Sequence, residues 1–251
     1  MTTYSRTDEF EGATFVRASL KGVTIRFSDV SGVTMRSVDV DGLDIDSHDL
    51  AFVKVLVNGV DVVPLVEAEL NRQFPGRELQ KSETPEGLRE CWVAVQAAWA
   101  ETVASTPAEL VDAHVEDEWS LAQTLRHLVL ATDAWLGRTI RGEAQPFHEI
   151  GQVFTGAEEM GFDTSIFRAE PPAYDEVLAV RAERQQRVTD FLATATPEQL
   201  AEERDDPWGG HWHPTVGDCV RVILEEEWAH LRYVRRDLAV LRAEVPKTKQ
   251  G

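Results

Sequence analysis

At 251 residues the chain is long enough for one large domain or two modest ones, and 43% hydrophobic with 27% charged residues is the composition of a globular protein. No apolar run approaches the roughly 20 residues of a membrane span, so no membrane partner is expected. A formal charge of −19 opposes binding to phosphate backbones and sets nucleic acid aside as a partner.

The first ten residues carry no apolar signal segment, and the two cysteines, Cys91 and Cys219, fall inside predicted helices. A disulfide framework is therefore not expected, and the chain reads as a cytoplasmic protein.

From residue 10 to residue 50 an apolar side chain recurs every five positions: Phe10, Phe15, Leu20, Ile25, Val30, Met35, Val40, Ile45 and Leu50. A second series, Ala13, Ala18, Val23, Ser28, Val33, Val38 and Leu43, runs two residues ahead of it, and Gly12, Gly22, Gly32 and Gly42 add a ten-residue beat. Neither the strand period nor the helix period produces this pattern, which reads as a short repeat stacking its inward residues. It resembles the pentapeptide-repeat proteins, whose chains coil as a square β-helix with four repeats per turn. Nine repeats would give about two coils, a stub about 10 Å tall at the spacing of neighbouring strands. Residues 1–50 hold nine acidic and five basic residues. A cap fits these numbers better than the acidic DNA-imitating rods of that family.

Asn58-Gly59 between valine-rich runs marks a hairpin. Residues 62–74 read as a short amphipathic helix closed by Pro75-Gly76, followed by a linker to about Ser82. The expected organisation is a repeat cap and β-hairpin over 1–60, a short helix and linker over 61–83, and a four-helix bundle over 84–251. The fold class is α+β, mainly α.

Start signals place the bundle helices. Thr84-Pro85 opens the first, to about Ala104; Ser120, with Gln123 three residues on, opens the second, to about Arg141; the third covers 173–192; Thr215 with Asp218 opens the fourth, to about Glu244. Thr106-Pro-Ala-Glu109 and Thr196-Pro-Glu-Gln199 follow the first and third as matching capping boxes, suggesting two related helical pairs. About 30 residues rich in Gly and Pro separate the second and third helices, enough for a long crossover that makes them parallel.

Glu226 and His230 stand on the apolar stripe of the fourth helix, with Val216, Cys219, Val220, Ile223, Val234, Leu238 and Leu241. A carboxylate taken out of water costs several kcal/mol unless paired or metal-bound. Residues at i and i+4 share a helix side, so a divalent cation held by both is the simplest compensator, although an ordinary Glu–His pair is also open. His127 on the second helix is the best third ligand: Leu121, Leu125, Leu128, Thr132 and Trp135 form its core stripe, and small neighbours leave space before the ring. Glu227 is either a hydrogen-bond partner of the site or an exposed glutamate. Asp237 reads as a structural partner, and Trp135 and Trp228 as core. His211 and His213 border a pocket mouth or fill a loop. Arg126, Arg138 and Arg232 could meet an acidic thiol, although arginines beside a helix stripe usually face solvent, and His48, His114 and His148 receive no role.

Trp119-Ser-Leu-Ala-Gln-Thr-Leu-Arg-His127-Leu, Ala-Thr-Asp-Ala-Trp135-Leu, Glu225-Glu226-Glu227-Trp228-Ala-His230 and Arg236-Asp237-Leu238 resemble the DinB-like bundle family over residues 84–244. Its branch of thiol-dependent transferases and mycothiol-dependent maleylpyruvate isomerases is the nearest in pattern. The resemblance implies a divalent metal, zinc first with nickel or iron as alternatives, held by His127, Glu226 and His230. Many members carry two histidines on the fourth helix; this chain has Glu and His there, as the mycothiol-dependent isomerases do.

Two imidazoles and one carboxylate leave a coordination position open, as in catalytic sites. The expected activity is a metal-dependent transfer in which a low-molecular-weight thiol such as mycothiol becomes a metal-bound thiolate and acts on a small electrophile, with neither cysteine needed. The ligand set is also that of non-haem iron enzymes, a zinc-bound water would make a hydrolase, and a non-enzymatic interaction or stress-response module with a structural metal stands beside them. The expected partners are a small-molecule substrate and the thiol, in a monomer or homodimer.

Overall fold

The computed structural model describes residues 4, 9–26, 28–47, 53–154, 157–158 and 162–244. The chain divides into two compact units, Met1–Asp46 and Ser47–Gly251.

Turns repeat through the first unit on the ten-residue beat. The N–H of Ala13, Val23, Val33 and Leu43 each donates to the carbonyl three residues before it, at 3.0 to 3.2 Å. The residue preceding each donor is a glycine at φ +68° to +76°. A turn with positive φ at its third position strains any side chain, and glycine alone enters it freely. No strand occurs among the described residues of this unit. The apolar series from Phe10 to Ile45, expected to point inward, is 45 to 64% exposed. Leu50 and His48 lie outside the described residues.

The hairpin, grouped on sequence with the repeat, falls in the second unit. Its strands β1 (Leu56–Val57) and β2 (Val60–Asp61) pair antiparallel around Asn58-Gly59, both at positive φ as a tight two-residue turn requires. Helix α1 (Val63–Gln73) follows and ends against Gly76 at φ +91°. The expected linker is partly ordered as a 3₁₀ turn, Arg77–Lys81.

Four long helices carry the core: α2 (Pro85–Ser105), α3 (Leu121–Thr132), α4 (Tyr174–Thr194) and α6 (Val216–Glu244), with α5 (Pro197–Leu200) a single turn. Capping fixes their starts. The Thr84 hydroxyl accepts from the Gly87 N–H, Ser120 and Gln123 form a reciprocal capping box, as do Thr196 and Gln199, and Thr215 and Asp218 do the same at 2.8 and 3.1 Å. The box expected at Thr106 does not form. Its hydroxyl donates back to the Thr102 carbonyl at 2.7 Å, and only a 3₁₀ turn, Ala108–Leu110, follows.

Cross-helix bonds give the helix directions. Arg221, Arg235 and Arg242 of α6 reach the carbonyls of Ser82, Ala98 and Ser105 in rising order, so α2 and α6 are parallel. Arg89 meets the Leu192 carbonyl and Gln96 meets Gln185, so α4 opposes α2. Asp133 faces Arg184 and Arg141 reaches the Arg187 carbonyl, so the second helical segment and α4 are parallel, joined by the long crossover. The stripe residues Val216, Cys219, Val220, Ile223, Val234 and Leu238 are at most 3% exposed, and they pack with Leu88, Val95, Trp99, Leu125 and Leu128. Burying each such side chain contributes about 1.5–3 kcal/mol. No described helix is long and apolar enough to cross a membrane.

Past Thr132 the second helix changes geometry. Asp133–Ile140 is π-helical, an insertion that rotates the side chains beyond it and is frequent near functional sites.

Candidate metal centre

His127 sits in the middle of α3, and Glu226 and His230 lie one turn apart on α6, which crosses α3 in the antiparallel sense. His127 Nε2 lies 3.4 Å from Glu226 Oε2, and His230 Nδ1 lies 3.2 Å from the same oxygen. One candidate ligand atom from each residue falls within 4.8 Å of the others. The histidine side chains are 10% and 14% exposed and Glu226 is 31% exposed, so the three meet at the edge of the core rather than inside it.

Both rings have a fixed orientation. A carbonyl oxygen can only accept, so His127 Nδ1 donates to the Gln152 carbonyl at 3.2 Å and His230 Nδ1 donates to the Glu226 carbonyl at 2.8 Å. A neutral ring tethered in this way has its lone pair on Nε2, which in His127 is the nitrogen facing Glu226 Oε2, whereas in His230 the nitrogen beside that oxygen is the tethered Nδ1. Burial pushes the His230 pKa down to about 4, which outweighs the upward pull of Glu226; neighbouring His127 pushes the same way as burial. His230 is therefore neutral at pH 7. For His127, the Nε2 lone pair faces a carboxylate oxygen, a repulsive arrangement unless a cation or a proton lies between. This donor set could hold a divalent cation.

Trp119 was present in the sequence pattern but carried no assigned role there. Its ring lies 4.7 Å from that of His127 and stacks at 6.1 Å and 15° on that of His230, while Tyr233 meets His230 edge-on at 5.6 Å. Its position just before the Ser120 cap sets it over the site, and no periodicity marks a residue outside the helix.

Glu227 is neither exposed nor bonded to the site. It is 1% exposed and pairs with Arg181 of α4 inside the bundle. A second buried pair joins Asp133 to Arg184 at 2.6 Å. Asp237 is buried and pairs with Arg236, Trp135 and Trp228 are core, and Arg126, expected in solvent, is 9% exposed with its Nε on the Ile150 carbonyl. His211 and His213 stay exposed; His213 lines an open cleft of about 1070 Å³ with Arg138, Phe147 and Trp208. From Arg138 back to His127 is eleven residues of helix, roughly 15 Å, so that cleft is not the histidine site.

A helical bundle with a long crossover and a two-histidine, one-carboxylate cluster between antiparallel helices defines the class. Residues 87–234 match the family model of the DinB superfamily, more than half of the chain, and the protein belongs to that superfamily. No curated protein and no solved structure matches it.

Proposed function

We propose that this protein is a metal-dependent transferase that uses a low-molecular-weight thiol of the mycothiol kind on a small electrophile, within the mycothiol-dependent isomerase branch of its superfamily. The observation carrying this reading is the convergence of His127, Glu226 and His230 with both Nδ1 atoms tethered to carbonyls. His127, Glu226 and His230 would hold a divalent cation, zinc before nickel or iron, which when bound would supply the Lewis acidity that lowers the pKa of a thiol. The chain's own residues do the positioning. Gln152 and Glu226 carbonyls hold the imidazoles in the ligating tautomer, and Trp119 covers their faces, leaving the partly exposed Glu226 side as the approach.

The first unit is read, in the same proposal, as a pentapeptide-repeat cap. Its support is the ten-residue recurrence of hydrogen-bonded turns with glycine at positive φ. A stub of two coils would cover each inward residue from one side only, in keeping with apolar side chains that are about half exposed.

Elemental analysis of the purified chain, combined with thermal shift against mycothiol, glutathione and cysteine, tests the reading. It predicts one divalent metal per chain and a midpoint raised by one of the thiols in the metal-loaded form alone. Absence of stoichiometric metal sinks it.

A further inference from the structure

Residues 148–152 of the crossover run along α3 and are fastened at three points to it and to the π-helical segment that continues it. The His148 N–H donates to Asp133 Oδ2 at 2.9 Å, Arg126 Nε donates to the Ile150 carbonyl at 2.7 Å, and the Gln152 N–H donates to the Arg126 carbonyl at 3.2 Å. The next acceptor along, the Gln152 carbonyl, is the one that receives His127 Nδ1. On the outer side the Arg168 N–H donates to the Glu149 carbonyl at 2.7 Å. Gly151 lets Phe167 close in so far that a methyl group there would stand 2.7 Å from the ring.

Asp133 is the deep anchor. It is fully buried, with Oδ1 taking Arg184 Nε at 2.6 Å and Oδ2 taking the strap's N–H. A carboxylate at that depth is costly even when paired, and a hydrophobic pair would fill the same space at no such cost. What the carboxylate adds is an acceptor for the strap. Arg126 acts likewise at the other end, holding the Ile150 carbonyl with its side chain and the N–H of Gln152, the residue that orients His127, with its own carbonyl.

We infer that the 148–152 strap is the positioning element of His127, with Arg126 and Asp133 as its positioning residues. A free imidazole exchanges between its two tautomers, and a carbonyl held against Nδ1 selects the one whose Nε2 points a lone pair at Glu226. Side chains that orient a metal-ligating histidine in this way typically change metal affinity by about 10–100-fold when removed. The inference rests on the metal reading of the site.

The test uses the full chain with ¹⁵N-labelled histidine, long-range ¹H–¹⁵N spectra of the metal-free protein, and zinc affinity by chelator competition. Wild type should show His127 with its hydrogen on Nδ1. Arg126→Met should shift His127 towards a mixture of tautomers and weaken zinc about 10–100-fold, and Arg126→Lys should recover part of both. Gly151→Ala, which displaces the strap from the Phe167 side, should do the same by an independent route. Gln152→Ala keeps the carbonyl and should change neither. If Arg126→Met and Gly151→Ala lower the thermal midpoint but keep the wild-type tautomer and zinc affinity, the strap is merely structural and the inference is overturned. A wild-type chain that binds no zinc defeats the proposed function, while the tautomer spectra still decide the role of the strap.

Discussion

Arg184 and Asp133 face each other at 2.6 Å across the interior, the arginine from α4 and the aspartate at the point where the second helix becomes π-helical. Removing Asp133 leaves the buried Arg184, among the described residues, with only its pair to the exposed Glu183. Asp133→Ala should therefore cost about 3–5 kcal/mol in urea unfolding, and the double variant Asp133→Leu, Arg184→Met should recover most of it. A single-variant loss below about 1 kcal/mol would mean that water reaches the guanidinium.

His230 makes metal-free stability depend on pH. Its pKa stands at 6.5 in the ordinary state and about 4 in the fold, lowered chiefly by burial. Between these values, as pH falls, the unfolded chain takes up a proton that the folded chain refuses, so stability declines through that window and the decline from this group is complete below about 4. Above 6.5 the group adds no dependence. Urea midpoints of wild type and His230→Gln, compared from pH 7.5 to 4, should converge as the pH is lowered; parallel curves would refute the burial argument.

Trp119, within 6.1 Å of both imidazole rings, should report on the site. Adding Co²⁺ to the metal-free chain is expected to quench its fluorescence, and the quenched component should vanish in Trp119→Phe and in His127→Ala. Retention of full quenching in His127→Ala would place the metal elsewhere.

Gly76 combines φ +91° with a neighbour, Ala94, whose Cβ would lie 2.5 Å from an added methyl. Gly76→Ala should thus destabilise by more than about 1 kcal/mol, through both backbone strain and overlap. Adding Ala94→Gly should remove the overlap and leave the strain, so the double variant is expected to lie between in thermal midpoint.

Helix starts were legible because a cap is local: Ser120 with Gln123 and Thr215 with Asp218 bond within four residues, so the sequence carries the whole interaction. Thr106 with Glu109 has the same spelling, yet its hydroxyl has a competing acceptor in the Thr102 carbonyl behind it. The triad was legible because Glu226 and His230 interrupt an apolar stripe. Asp133, Arg184, Arg181 and Glu227 were not, since a charged residue on a helix reads as solvent-facing until its partner on another helix is known. The π-helical segment has no marker either: 133–140 continues the same apolar pattern with one residue more per turn. The strap that orients His127 works through backbone carbonyls, which every residue owns.

Cys91 and Cys219 are both fully buried, and burial lifts their pKa values to about 11 and about 12. Attack on a disulfide requires a thiolate that can reach it, and at neutral pH these sulfurs are neither ionised nor accessible. The folded chain can therefore stand in a pool of oxidised small thiols without becoming a mixed disulfide itself.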